Sequence, residues 1–232
     1  MTNIDINKIS SVLGTAINNH ALFFEAITHR SYVNEHPLWP HPNNERLEFL
    51  GDAVLELVVT EYLYGKFPEK PEGELTSLRA ALVNAVMLGE LAVELGFNDF
   101  ILLSRGEARD VGRARLTILA NTFESIVGAL YLDGGYEKVR DFIIRALVPR
   151  LDDVLDKKLY QDSKSLFQEE AQERIGITPT YKVIKEWGPD HDKHFVVGAY
   201  LSDELVAEGE GPSKQEAQQQ AAEAALKTKE WG

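Results

Sequence analysis

The chain contains no cysteine, so disulfides and thiolate metal sites are excluded, and a reducing compartment is expected. No apolar run approaches the roughly 18–20 residues that a membrane span needs. The first residues, MTNIDINKISSVLG, carry neither the basic region nor the apolar stretch of a signal peptide. A soluble, cytoplasmic protein with no membrane partner is the expectation. Positive charge is also scarce, with 24 basic residues against 37 acidic ones and a net charge of −13. Basic surface is the usual footprint of a nucleic-acid binder. The overall balance therefore argues against such a partner, although it is equally the ordinary state of a cytosolic protein. Internal repeats and low-complexity tracts are absent as well.

What is present suffices for a real core: 232 residues, 44% of them hydrophobic, make two modest domains or one large one. Up to about residue 150 the texture is helical. Segments 45–64, 74–95, 116–132 and 136–150 are rich in Ala, Leu, Val and Glu, and HPLWPHPNN, KFPEKPEG, SRGEARDVG and DGG punctuate the region as turns. The polar stretch RLDDVLDKKLYQD reads as a helix end and a linker. Beyond it, DSKSLFQEEAQERIG reads as a helix stopped by Gly176, and TYKVIKEW, KHFVVGAYL and ELVAEGE read as strands. SKQEAQQQAAEAALKTK is a strong last helix. The expected division is an all-α domain at 1–150, a linker at 151–161 and a small α+β domain of order α-β-β-β-α at 162–232.

The chemistry concentrates in NERLEFLGD, residues 44–52, which runs on into AVLELVVTEYL. At about 100° per residue, Glu45, Glu48, Asp52 and Glu56 share an arc of about 80° on one helix face. The rest of the circumference is apolar, so the helix is expected to be central and buried. Buried carboxylates are costly unless paired, protonated or holding a cation. A solvated acidic stripe is the plain alternative. A second apolar stretch, LTILANTFESIVGALYLD, places Asn121 and Glu124 on one face at i and i+3. Two such helices could form an oxygen cage for a hard cation, Mg²⁺ or Mn²⁺. Alternatively, Asn121 and Glu124 serve only as internal hydrogen-bond partners.

These stretches, with Thr28-His29-Arg30-Ser31-Tyr32, Glu72-Gly73-Glu74-Leu75-Thr76 and Tyr131-Leu132-Asp133, closely resemble bacterial ribonuclease III over nearly the whole chain. The resemblance implies a ribonuclease III domain followed by a double-stranded-RNA-binding domain. It implies Asp52 and Glu124 as catalytic residues, and Glu48, Asp52, Asn121 and Glu124 as metal ligands. It places Glu45 and Glu72 at the cleft and dimer, and implies a homodimer that cuts both strands; Phe49 is the residue expected at its interface, with ordinary core as the alternative. Position 121 departs from the pattern, which has Asp there. Weaker Mg²⁺ binding is expected, and a catalytically idle binder of double-stranded RNA is the alternative. The implied reaction is hydrolysis to 5′-phosphate and 3′-hydroxyl ends, in processing of ribosomal, messenger and transfer RNA precursors.

Residues 162–230 resemble the binding domain in their own right. Ser165, Gln168, Glu169 and Gln172 form a polar helix face suited to 2′-hydroxyls in a minor groove, or plain solvent surface. His191 matches a loop residue expected to enter the next minor groove. Ser213 and Glu216 spell a capping box, and that helix start, with Lys214, Gln215 and Gln218, is expected to meet phosphates. Ala217, Ala221, Ala224 and Ala225 make a thin stripe for close packing on a sheet. Residues 162–232 hold 8 basic against 14 acidic side chains, so few phosphate contacts and a shallow salt dependence are expected.

Overall fold

The computed structural model describes residues 6–109, 112–157, 160, 162–189 and 193–231, in two units, Met1–Tyr160 and Gln161–Gly232. The first unit is helical: Ile6–Leu13 (α1), His20–Ala26 (α2), Arg30–Glu35 (α3), Glu45–Lys66 (α4), Glu72–Leu82 (α5), Ala85–Glu94 (α6), Arg113–Leu147 (α7) and Arg150–Asp156 (α8). The second holds Ser163–Ile175 (α9), Thr180–Trp187 (β1), His194–Leu201 (β2), Glu204–Gly211 (β3) and Lys214–Lys229 (α10).

Glycines decide how α4 and α7 meet. A Cβ on Gly51 would lie 1.7 Å from the Glu124 carbonyl oxygen, and one on Gly128 would lie 2.3 Å from the Leu47 carbonyl oxygen. Only two side-chain-free positions allow backbones this close. Around the crossing, Leu47, Val54, Leu55 and Val58 of α4 bury against Leu119, Phe123, Ile126 and Val127 of α7. The core of the unit is built on this pair.

Three boundaries differ from the sequence reading. The 74–95 segment is two helices, because the Asn84 side chain caps α6 by accepting from the Val86 and Met87 N–H groups. Segments 116–132 and 136–150 are one helix, α7, bent at Gly135, whose φ of 77° a side chain would strain. The bend is tied down by Asp133, whose inaccessible carboxylate accepts from Asn18 N–H at 3.0 Å, Asn19 N–H at 2.7 Å and Lys138 Nζ at 2.9 Å. Finally, part of the expected 151–161 linker belongs to α8, which buries Leu151 and Val154 in the first core.

Helix α4 is also less buried than its apolar circumference suggests. Its Leu47, Gly51, Val54, Leu55, Val58, Val59 and Leu63 are buried, whereas Phe49 is 82%, Leu57 57% and Tyr64 74% exposed. The apolar stripe that the core does not need stays on the surface, beside the acids.

In the second unit the sheet is antiparallel, in the order β1-β2-β3. Phe195, Val197, Ala199 and Leu201 of β2 alternate toward the helices. The alanine stripe of α10 packs as its thinness requires: Ala217, Ala221 and Ala225 are buried, and a Cβ on Gly209 would come within 2.1 Å of the Ala221 nitrogen.

Candidate active site and nucleic-acid interface

The glycine crossing places the acids of α4 against those of α7. Asp52 follows Gly51, and Glu124 contributes the carbonyl that Gly51 touches, so the contact that packs the core also brings the carboxylates of the two helices within electrostatic reach. Burial, then the charges of Asp52 and Glu48, push the Glu124 carboxyl up to about 7. Glu48 is also raised, first by burial and then by Glu45, with Asp52 adding to it. A side-chain hydrogen bond from Asn121 works the other way and favours ionised Glu48. Asn121 thus removes one repelling charge and donates to a neighbour. Asp52 itself is exposed, open to a substrate.

Burial and mutual repulsion make the ionised forms of Glu48 and Glu124 costly. The donors here are all oxygens, three carboxylates and the amide oxygen of Asn121, which suits a hard divalent ion. Among the described residues, no three His, Asp or Glu side chains are grouped closely enough to hold a metal ion as they stand. Glu48, Asp52 and Glu124 are in electrostatic reach of one another, with Asn121 acting on Glu48, and the mutual repulsion of the three acids is what a bound cation would offset.

Glu45 acts on this set through Glu48, whereas Glu72 does not. The Glu45 carboxylate is held at both oxygens, by Arg30 Nη1 at 3.0 Å and Asn43 Nδ2 at 3.2 Å. Glu72, in the first turn of α5, accepts from Thr76 Oγ1 at 3.0 Å, and its charge is not among those acting on Glu48 or Glu124. No spacing in the sequence points to Arg30 or Asn43 as a holder of Glu45, although Arg30 lies in the THRSY stretch.

The raised Glu124 has a consequence for stability without metal. Its folded pKa of about 7 exceeds the ordinary 4.5, so its contribution is fully present below pH 4.5 and is lost as pH rises through about 7. Glu124→Gln is therefore expected to stabilise the metal-free protein at pH 8 by about 1–2 kcal/mol, after discounting for solvent screening. At pH 4 it should bring no such gain. Thermal melts in chelator at both pH values measure this, and an equal difference at both would refute it.

In the second unit, Gln168, Glu169 and Gln172 are exposed on α9, with Gln172 Oε1 accepting from Thr178 Oγ1 at 3.4 Å. The Ser165 hydroxyl is engaged locally, donating to Asp162 at 2.7 Å. Ser213 caps α10 by accepting from the Glu216 N–H at 3.2 Å. Lys214 and Gln215 are exposed, and Lys214 Nζ lies 5.6 Å from the Phe195 ring centroid. Gln218 differs from expectation: its Oε1 accepts from Lys164 Nζ at 2.7 Å, so the side chain turns toward α9. His191 lies outside the described residues.

Residues 19–151 match the family described as Ribonuclease-III-like, and residues 163–229 match the double-stranded RNA binding motif. The chain is 45% identical to a Ribonuclease 3 of Nitratiruptor sp. over 225 residues, covering 96% of each chain. It is 43% identical to a Ribonuclease 3 of Enterococcus faecalis over 229 residues, covering 98% of this chain and 99% of the relative. A structure of the nuclease domain of ribonuclease III from Campylobacter jejuni, described for its flexibility in a region involved in dimer formation, is similar with a TM-score of 0.57. It shares 40% identity over 62% of this chain and 97% of that one.

Proposed function

This chain belongs to the ribonuclease III family, and from that premise we propose that it hydrolyses double-stranded RNA endonucleolytically at the α4–α7 acids. The observation that carries the proposal is the coupling of Glu48, Asp52 and Glu124 across a crossing that glycines alone permit. Glu48, Asp52, Glu124 and the Asn121 amide oxygen would hold Mg²⁺, with Mn²⁺ as a substitute. When bound, the ion lowers the pKa of a water and stabilises the charge that develops on the phosphate oxygens. The water oxygen bonds to phosphorus and the bond to the 3′ oxygen breaks. The 3′ oxygen takes a proton, leaving 3′-hydroxyl and 5′-phosphate ends. Asn121 opposes the upward push that burial and Glu45 give Glu48, and exposed Asp52 would face the incoming backbone. The second unit supplies the affinity for the duplex, through the α9 face and the start of α10. Precursors of ribosomal, messenger and transfer RNA in the cytoplasm are the proposed substrates.

The test is cleavage of a long duplex beside single strands of the same sequence, with and without chelator. Cutting is expected of the duplex alone, and only with divalent metal. Equal cutting of single strands, or cutting in chelator, would overturn the proposal.

The proposed assembly is a homodimer through the exposed apolar stripe of α4. At about 100° per residue, Phe49, Leu57 and Tyr64 fall within an arc of about 80° beside the acids, and such a stripe marks an interface. Phe49→Asp is expected to weaken self-association at least thirtyfold, about 2 kcal/mol, read by sedimentation as monomer at micromolar concentration. An unchanged dimer population would contradict this interface.

A further inference from the structure

The two helices that the proposed function lays against RNA are joined by a side-chain network reaching across 54 to 57 positions of sequence. Asp162, just before α9, accepts from the Lys164 N–H at 3.2 Å, the Ser165 N–H at 3.3 Å, the Ser165 hydroxyl at 2.7 Å and Gln219 Nε2 at 2.7 Å. Gln219 returns the contact, its Oε1 accepting from the Lys164 N–H at 3.3 Å. Next to it, Lys164 Nζ donates to Gln218 Oε1 at 2.7 Å and lies 5.3 Å from the centroid of the Tyr181 ring.

This arrangement divides labour between the helix starts. The start of α9 already holds a carboxylate, Asp162, in the place a phosphate oxygen would take. The start of α10 has a neutral cap, Ser213, and an exposed cation, Lys214. Phosphate contact therefore belongs to α10. Lys164, half-buried and with its ammonium against Gln218 and the Tyr181 ring, faces inward although it carries a charge that RNA would attract.

We propose that Lys164 is a positioning residue for duplex RNA: with Gln218, Gln219 and Asp162 it fixes α9 relative to α10 and touches no phosphate itself. The inference rests on the double-stranded-RNA reading of this unit. A duplex presents its minor groove and the neighbouring phosphates at a set spacing. Helices pre-set to that spacing avoid the ordering cost that loose ones meet on binding. Gln218 and Gln219, one turn beyond Lys214, are well placed to transmit the constraint.

The test is duplex binding by the full chain in chelator, over a series of salt concentrations, with thermal melts beside it. Lys164→Met and Gln218→Leu should each weaken binding about tenfold, with the slope of log affinity against log salt unchanged. Lys164→Arg should restore most of the affinity. A slope reduced by about one in Lys164→Met would make Lys164 a phosphate contact and overturn the proposal. Unchanged affinity in both variants overturns it too, as does a loss that merely tracks unfolding at the assay temperature. If the unmodified chain binds no duplex at any salt, the RNA reading itself has failed, a result distinguishable from all of these.

Discussion

Glu124→Ala is expected to lower the rate of duplex RNA cleavage about a thousandfold, with duplex affinity kept within about threefold. The two effects separate because the residues proposed to bind the duplex lie in the unit Gln161–Gly232, whereas Glu124 lies on α7. Glu124 feels the charges of both Asp52 and Glu48, so it is the member that couples the α7 side of the site to the α4 side. Removing it leaves Glu48 and Asp52 on one helix, with the Asn121 amide remaining on the α7 side. Single-turnover cleavage beside gel-shift binding reads both quantities. A variant that cuts at even a tenth of the normal rate would remove Glu124 from the mechanism.

Gly51→Ala is the second large effect, and it needs no change to any acid. The added methyl would lie 1.7 Å from the Glu124 carbonyl oxygen, so α4 and α7 must separate. Overpacking of this kind costs about 2–3 kcal/mol, more than the gain of up to about 1 kcal/mol from replacing a helical glycine. The acids move with the backbone, and misplacement by about 1 Å costs about a hundredfold in rate. Gly65→Ala, on the same helix with open space around it, is the control and should be neutral or slightly stabilising. Urea unfolding and cleavage assays on the pair decide the matter; Gly51→Ala behaving like Gly65→Ala would refute the account of the crossing.

Features carried by neighbouring residues were legible in the sequence. The acid stripe of α4 is a matter of helical spacing, as is the alanine stripe of α10. Gly176 stops α9 in the left-handed conformation, and Ser213 caps α10, both as local chemistry dictates. The nine-residue NERLEFLGD stretch also carried enough to point to the family. The features that were not legible depend on what lies opposite. A glycine inside LEFLGDAVLE looks like a weakness until Gly128 and Glu124 are seen against it. Asn84 reads as one polar residue in an apolar helix, yet its side chain breaks that helix in two. Phe49, expected at an interface with core as the alternative, is 82% exposed, which excludes the core reading within one chain. Gln218 reads as an RNA contact from the resemblance at the start of α10, but its bond to Lys164, 54 positions away, turns it toward α9.

Asn121 ties these threads together. As the amide at the carboxylate position, it donates to Glu48 and lightens the repulsion among the acids, while offering a metal one charge fewer. The most direct measurement is a Mg²⁺ titration of duplex cleavage by the chain and by Asn121→Asp. The account predicts that the chain cuts, and that Asn121→Asp reaches half-maximal rate at about tenfold lower Mg²⁺, near 1.4 kcal/mol of metal affinity. A chain that binds duplex RNA but never cuts it, even in excess Mg²⁺ or Mn²⁺, would contradict the account.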